Sequence, residues 1–265
     1  MDELHRKNEK LKEILHRCGS AAVAFSGGVD SAFLLQNAHD VLGDRCVAVT
    51  ASAPIFPARE AAEAAEFCAS RKIRQEVFRF DALETENFSE NPSNRCYLCK
   101  RRLFGAILQC AARLGLNCVA DGSNVDDLGD YRPGLQAIAE LGIRSPLREA
   151  GLTKADIRAL SKELNLPTWN KPSCACLASR FVYGEPITEE KLHMIDSAES
   201  FLVALGFRQQ RVRLHGNLAR IEVLPEQIPL AVKFREAIVT ELAKIGFSYV
   251  TLDLKGFRSG SMNET

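Results

Sequence analysis

Hydrophobic and polar positions along the chain keep switching between two periods. Leu4, Leu11, Ile14 and Leu15 recur at helical spacing, which predicts an amphipathic helix over 3–18. The apolar run 21–25 reads as a buried strand, a glycine-containing loop follows, and a second helix closes near Leu42. Residues 46–51 are again an apolar strand, Ala58 to Arg71 an Ala- and Glu-rich helix behind Pro57, and Arg74 to Phe80 a third strand. A turn-rich stretch, 91–95, leads into a helix from Tyr97 to Leu114, and 117–122 is a short strand ending in a loop. Strands alternating with helices imply an α/β fold, a parallel sheet with helices on both faces. In such sheets ligands sit beyond the strand C-termini, where Ser26, Thr50 and Asp121 fall.

The pattern then changes. A helix beginning at Thr153 precedes Leu166-Pro167 and an irregular segment through Gly184. Thr188, followed by Glu189 and Glu190, is a helix N-cap signal, and that helix runs to about Leu205. Strands at 210–214 and 218–224, a helix at 228–245 and a strand at 249–254 complete a small α+β tail, with 259–265 expected to fray. The expected organisation is therefore a nucleotide-binding domain over 1–168, a cysteine-bearing segment over 169–186, and a small α+β substrate or oligomerisation domain over 187–265.

Composition narrows the function classes. Lys plus Arg equals Asp plus Glu at 34 each, so no global field favours nucleic acid or a membrane surface. No stretch approaches the ~20 apolar residues of a membrane span, and the charged N-terminus has no signal-peptide core. A cytoplasmic protein is expected, with its nine cysteines reduced and available for packing, metal or sulfur chemistry.

The chemistry-bearing residues fall in four stretches. Ser26-Gly27-Gly28-Val29-Asp30-Ser31 lies between the first strand and its helix. There glycines allow close backbone approach, and the free amides of a helix start favour an anion. Asp30 can hold magnesium against phosphate oxygens; a Walker-type lysine is missing, and the stretch resembles the loop of the ATP pyrophosphatases. The acidic stretch from Asp121 to Gly134, with Asn124, Asp126, Asp127, Asp130 and Arg132, either shares magnesium with the phosphates or simply caps turns. Cys96 and Cys99 open a helix, and Cys174 and Cys176 lie between Lys171 and Arg180. Cationic neighbours favour thiolate, the form that attacks and binds metal. The two pairs could form a zinc site or an iron–sulfur site with an open corner. The other five cysteines read as packing. Arg211 and Arg213 share one face of a strand, either solvated or binding phosphate; the scattered histidines give no ligand spacing.

Taken together, the Ser26–Ser31 loop, the Asp121–Asp127 stretch with its Tyr131-Arg132-Pro133-Gly134 tail, and Lys171-Pro172-Ser173-Cys174-Ala175-Cys176-Leu177-Ala178-Ser179-Arg180 resemble the LarE-type ATP-dependent sulfur transferases. The resemblance implies an ATP pyrophosphatase-type, adenine nucleotide α-hydrolase-like fold. ATP, with magnesium on Asp30, would be bound through Ser26, Gly27, Gly28, Asp30, Ser31, Thr50, Asn124 and Asp127. The implied substrate is pyridinium-3,5-biscarboxylic acid mononucleotide, held through Arg211, Arg213, Ser179 and Glu199. Its carboxylates would be adenylated and converted to thiocarboxylates with Cys176, Cys174 and Arg180 in catalytic positions. Sulfur would come from a [4Fe–4S] cluster on Cys96, Cys174 and Cys176, with Cys99 as a further candidate, resupplied by sulfide or another donor. The alternative is sacrifice of Cys176 itself. A homo-oligomer is expected. The rival readings are a tRNA thiolase, an amide-forming synthetase, and a non-catalytic nucleotide binder stapled by zinc.

Overall fold

The computed structural model describes residues 2–129 and 133–258, which form two compact units. The first comprises 1–53, 58–85 and 94–173; the second comprises 54–57, 86–93 and the chain from Cys174 onward. Asp130, Tyr131 and Arg132 of the acidic stretch, and the tail from Ser259 to Thr265, lie outside the described residues.

In the first unit α1 (Glu3–Cys18), β1 (Ala21–Ala24), α2 (Val29–Leu42), β2 (Cys46–Ser52), α3 (Ala58–Ser70), β3 (Arg74–Arg79), α4 (Arg95–Arg113) and β4 (Cys118–Ala120) follow one another. Helices α5 (Pro133–Glu140), α6 (Pro146–Glu149) and α7 (Lys154–Glu163) complete it. Among the described residues the strands form a sheet in the order β3-β2-β1-β4, every pairing parallel. Alternation along each strand sends side chains to opposite faces. Ala21, Val23, Cys46 and Ala48 pack with α1, α2, α3 and α7, while Ala22, Val47, Val49 and Val119 pack with Phe104, Ile107 and Ile138 of α4 and α5. Both faces are covered over β1, β2 and β4, which is why those strands read as continuous apolar runs, whereas the edge strand β3 is largely exposed and alternates. The α/β reading of the sequence therefore holds.

The chain turns from β1 outward in both directions, so the crevice between β1 and β4 is the switch point of the sheet. The glycine turn after β1 and the acidic loop after β4 flank that crevice.

The second unit contains α8 (Glu189–Ala204), β5 (Gln210–His215), β6 (Leu218–Val223), α9 (Ile228–Lys233), α10 (Arg235–Ile245) and β7 (Tyr249–Leu252). Its sheet has the order β5-β6-β7, with β5 and β6 antiparallel and β6 and β7 parallel. Thr188 caps α8 as expected, its side chain accepting from the Lys191 amide. The single helix expected over 228–245 is two, because Phe234, at φ −95 and ψ 12, leaves helical geometry between them. Among the described residues no helix is long and apolar enough to cross a membrane.

Candidate active site

The first group of expected residues surrounds the glycine turn. Gly27 has φ +73, a left-handed backbone that favours glycine. Gly28 is the N-cap of α2 with no side-chain cap on the helix amides. The first turn of this helix thus presents amide groups without a side-chain acceptor, the geometry of an anion site. Ser26 and Ser31 hydroxyls lie 3.2 Å apart, and Ser31 also donates to the Gly28 carbonyl at 3.2 Å. Thr50 donates to the Phe25 carbonyl at 3.1 Å, fixing the end of β1 just before the turn.

The acidic loop meets this turn directly. A methyl added at Gly122 would stand 3.0 Å from the Ser31 amide nitrogen, so glycine is what lets the loop approach α2. Asn124 donates to Asp30 at 3.3 Å. Most of the loop's own acids are engaged internally: Asp121 accepts from Ser145 at 2.6 Å and from Ser123, Asp126 from the Lys154 amide at 2.8 Å, and Asp127 from the Asn124 amide at 2.9 Å. Asp127 alone of these three accepts a backbone amide from within the loop, while Asp30, in the glycine turn itself, is the acid that Asn124 and Lys154 reach.

Two lysines that sequence spacing did not single out complete the geometry. Lys154, at the start of α7, pairs with Asp30. Lys171 donates to the Gly27 carbonyl at 2.9 Å and pairs with Glu63 at 2.6 Å and Glu60 at 3.2 Å. Burial works against its charge, but the two glutamates outweigh that and hold its pKa above the ordinary lysine value. The only hint in the sequence was the position of Lys171, three residues before Cys174.

The second group lies in the other unit. Cys176 caps a 3-10 turn, Leu177–Arg180, and both Cys174 and Cys176 are partly exposed. Ser179 closes the turn by donating to the Cys176 carbonyl at 2.8 Å. Arg180 is fully buried and grips Glu199 through two contacts of 2.8 Å. Its Nη1 also donates to the carbonyls of Ala175 at 2.9 Å and Cys176 at 3.1 Å, and to the Ser179 hydroxyl at 2.8 Å. One buried guanidinium thus fixes the backbone on which Cys176 is mounted. Burial opposes the charge of both partners, yet their mutual attraction prevails: the pKa of Glu199 is held below its ordinary range and that of Arg180 above it.

Arg211 and Arg213 are each 5% exposed, and Glu199 is 2% exposed, so neither the strand face nor the helix position is solvated. Arg213 donates to the Ser179 carbonyl at 2.9 Å and pairs with Glu222 at 2.9 Å. Arg211 lies 5.1 Å above the Phe257 ring, and burial, then the neighbouring Arg180 charge, push its pKa down to about 10. It remains charged at neutral pH. Three buried arginines, Arg180, Arg211 and Arg213, face two buried glutamates, Glu199 and Glu222, a positive surplus suited to an anion.

Cys96 and Cys99 begin α4 in the first unit, whereas Cys174 and Cys176 belong to the second. Among the described residues no group of three or more His, Cys, Asp or Glu side chains is gathered to hold a metal ion. The cluster expected of Cys96, Cys174 and Cys176 would draw its ligands from both units. The five cysteines read as packing, Cys18, Cys46, Cys68, Cys110 and Cys118, are all buried.

A parallel α/β sheet with a glycine turn at its switch point, joined in one chain to a cysteine turn braced by buried arginines, defines an α/β, thiol-bearing class of protein. No protein-family model matches the chain. It is 44% identical over 262 residues to an uncharacterized protein of Synechocystis sp., covering 98% of both chains. It is 38% identical over 266 residues to the pyridinium-3,5-bisthiocarboxylic acid mononucleotide synthase of Lactiplantibacillus plantarum, covering 100% of this chain and 96% of that one. An uncharacterized protein of Methanocaldococcus jannaschii is 30% identical over 237 residues, 89% of this chain and 90% of that one. The chain belongs to the LarE-type sulfur transferase family, that of the pyridinium-3,5-bisthiocarboxylic acid mononucleotide synthase.

Proposed function

We propose that this protein is an ATP-dependent sulfur transferase that converts the carboxylates of pyridinium-3,5-biscarboxylic acid mononucleotide to thiocarboxylates. The first unit would be an ATP pyrophosphatase-type domain. The amides of the Ser26–Ser31 turn and the hydroxyls of Ser26 and Ser31 would receive the phosphates, with Thr50, Asn124 and Asp127 shaping the pocket. Asp30 already holds a cation, the Lys154 ammonium. It would hold the accompanying magnesium in its place, and one carboxylate with substrate phosphates is an ordinary magnesium set. A carboxylate is a poor acyl donor until its oxygen leaves as AMP, and a thiolate is the natural attacker of the acyl-adenylate. Attack by Cys176 sulfur on that carbonyl carbon, with departure of AMP, forms a thioester. Cleavage of the Cβ–S bond with loss of the Cα proton then leaves the thiocarboxylate and a dehydroalanine. Arg211 and Arg213 would bind the substrate phosphate, while Glu199 and Ser179 hold Arg180 and the turn in place.

One observation carries the reading: the buried Arg180 fixes the carbonyls of Ala175 and Cys176, so the Cys176 sulfur is mounted on a rigid turn beside surplus positive charge. The test is mass spectrometry after a single turnover with ATP and the biscarboxylate nucleotide. The substrate is expected to gain the mass difference of sulfur for oxygen, and the peptide bearing Cys176 to lose that of hydrogen sulfide. An unchanged peptide, together with near-stoichiometric iron and acid-labile sulfide after anaerobic purification, would instead place the sulfur on a cluster involving Cys96, Cys174 and Cys176.

The approach of the acidic loop to α2 gives a second prediction. Gly122→Ala places a methyl 3.0 Å from the Ser31 amide nitrogen, so the loop and the turn must move apart by a few tenths of an ångström. Calorimetry is expected to show ATP affinity about tenfold weaker, ~1.4 kcal/mol; an unchanged Kd would mean the loop takes no part in the nucleotide site.

A further inference from the structure

Two of the buried cysteines are set apart from the other packing cysteines by their surroundings. Cys18 ends α1 and Cys118 opens β4, and the pairing of Ala21 with Cys118 brings the end of the helix beside the start of the strand. A hydrogen bond of 2.9 Å from the Asn117 amide to the Ser20 hydroxyl ties the same two stretches together. The two thiols are close enough for each to act on the other's ionisation. The Cys18 sulfur also lies 3.8 Å from Arg144 Nη1 and 3.4 Å from the Ile14 carbonyl. Arg144 is oriented by Glu149, its Nε donating at 3.1 Å, and its side chain is 39% exposed. The pair therefore sits at the edge of the core, with a guanidinium running from sulfur to solvent.

We propose that Cys18 and Cys118 form an oxidant-sensitive dithiol that closes to an intrachain disulfide when hydrogen peroxide, a two-electron oxidant, reaches it. Neither cysteine has a part in the sulfur-transfer reading. The neighbouring Cys118 thiol and the Arg144 charge outweigh burial and bring the Cys18 pKa down to about 7, while that of Cys118 is raised. By contrast, burial pushes Cys46 up to about 12 and Cys68 to about 11. Cys18 is thus the nucleophile and Cys118 the resolving thiol. The Cys18 thiolate attacks one peroxide oxygen; an S–O bond forms, the O–O bond breaks, and hydroxide leaves to be protonated to water. The Cys118 sulfur then attacks the Cys18 sulfenic acid. The S–S bond forms, the S–O bond breaks, and the hydroxyl leaves with the Cys118 proton as a second water. The two sulfurs lose two electrons and the peroxide gains them.

The test uses the full chain treated with peroxide, alkylated and digested with trypsin without reductant. Peptides 18–45 and 114–144 each hold one cysteine. They are expected joined, lighter by two hydrogens than their sum, and separated by dithiothreitol. Cys118→Ser is expected to leave a Cys18 sulfenic acid that dimedone captures. Arg144→Gln is expected to slow cross-linking about tenfold, the effect of one pKa unit on the thiolate fraction. Recovery of both peptides unjoined while peptides of the exposed cysteines oxidise, joining of either to a different cysteine, or an unchanged rate in Arg144→Gln would overturn the proposal.

Discussion

Arg180→Met is expected to lower the stability of the protein by about 3–5 kcal/mol, because it strands the Glu199 carboxylate in the interior. Glu199 is 2% exposed and its Oε1 also accepts the Val212 amide at 2.9 Å, so it has nowhere to turn for solvent. The pair itself need not be strongly stabilising: two charges taken out of water lose about what their attraction returns. The cost arises when one is removed. Arg180→Met combined with Glu199→Leu is therefore expected to recover most of the loss in urea denaturation. The pH dependence has a definite sign. The folded-state pKa of Glu199 lies below its ordinary value, so its contribution is present above the ordinary carboxylate range. It is lost as pH falls through the lower folded value. An Arg180→Met variant within about 1 kcal/mol of the parent would contradict the proposed support of the cysteine turn.

Cys176→Ser is expected to abolish thiocarboxylate formation, on the order of a 10³-fold loss or more, while pyrophosphate exchange into ATP with the biscarboxylate nucleotide continues near the parent rate. Serine keeps the size of the side chain but not its chemistry. A hydroxyl is not ionised at neutral pH and holds no transferable sulfur. The asymmetry between the two assays matters more than either number, because it separates the activation proposed for the glycine turn from the transfer proposed for the cysteine turn. Loss of both activities would mean that Cys176 maintains the fold or the activation step, whereas retention of both would move the sulfur elsewhere.

Much of the fold was legible in local pattern. Apolar runs marked β1, β2 and β4, alternation marked β3, and Thr188 marked the start of α8. The glycine turn was also legible, since Gly27, with its left-handed backbone, has a local conformational reason to be there. Helix α5 was not read, although Pro133 at its first position and Leu135 and Ile138 at helical spacing are a start signal. The acidic stretch read from Asp121 to Gly134 covers the start of this helix. The lysines around the glycine turn carry no local mark. Lys154 meets Asp30 from 124 residues away, and Lys171 meets Gly27 from 144. Such contacts are made by the fold and by nothing in the neighbouring sequence.

The arginines of β5 show the same limit from the other side. Alternation placed Arg211 and Arg213 on one face but could not say whether that face was wet. Burial was decided by Glu222 on the paired strand, Ser179 on the cysteine turn and Phe257 near the end of the described chain. The acidic loop was legible as an acidic loop only. The partners that turn Asp121 and Asp126 into structural acceptors, Ser145 and the Lys154 amide, belong to segments that follow the loop. Asp30 stands apart because it lies in the first turn of α2 with its carboxylate paired to the Lys154 ammonium.

Incubation of the protein with ATP, magnesium and pyridinium-3,5-biscarboxylic acid mononucleotide, with the nucleotide products resolved by chromatography, tests the account most directly. AMP and pyrophosphate should appear together with the thiocarboxylate product, and only when the biscarboxylate is present. Cleavage of ATP to ADP and phosphate, or thiocarboxylate formed without AMP, would contradict it.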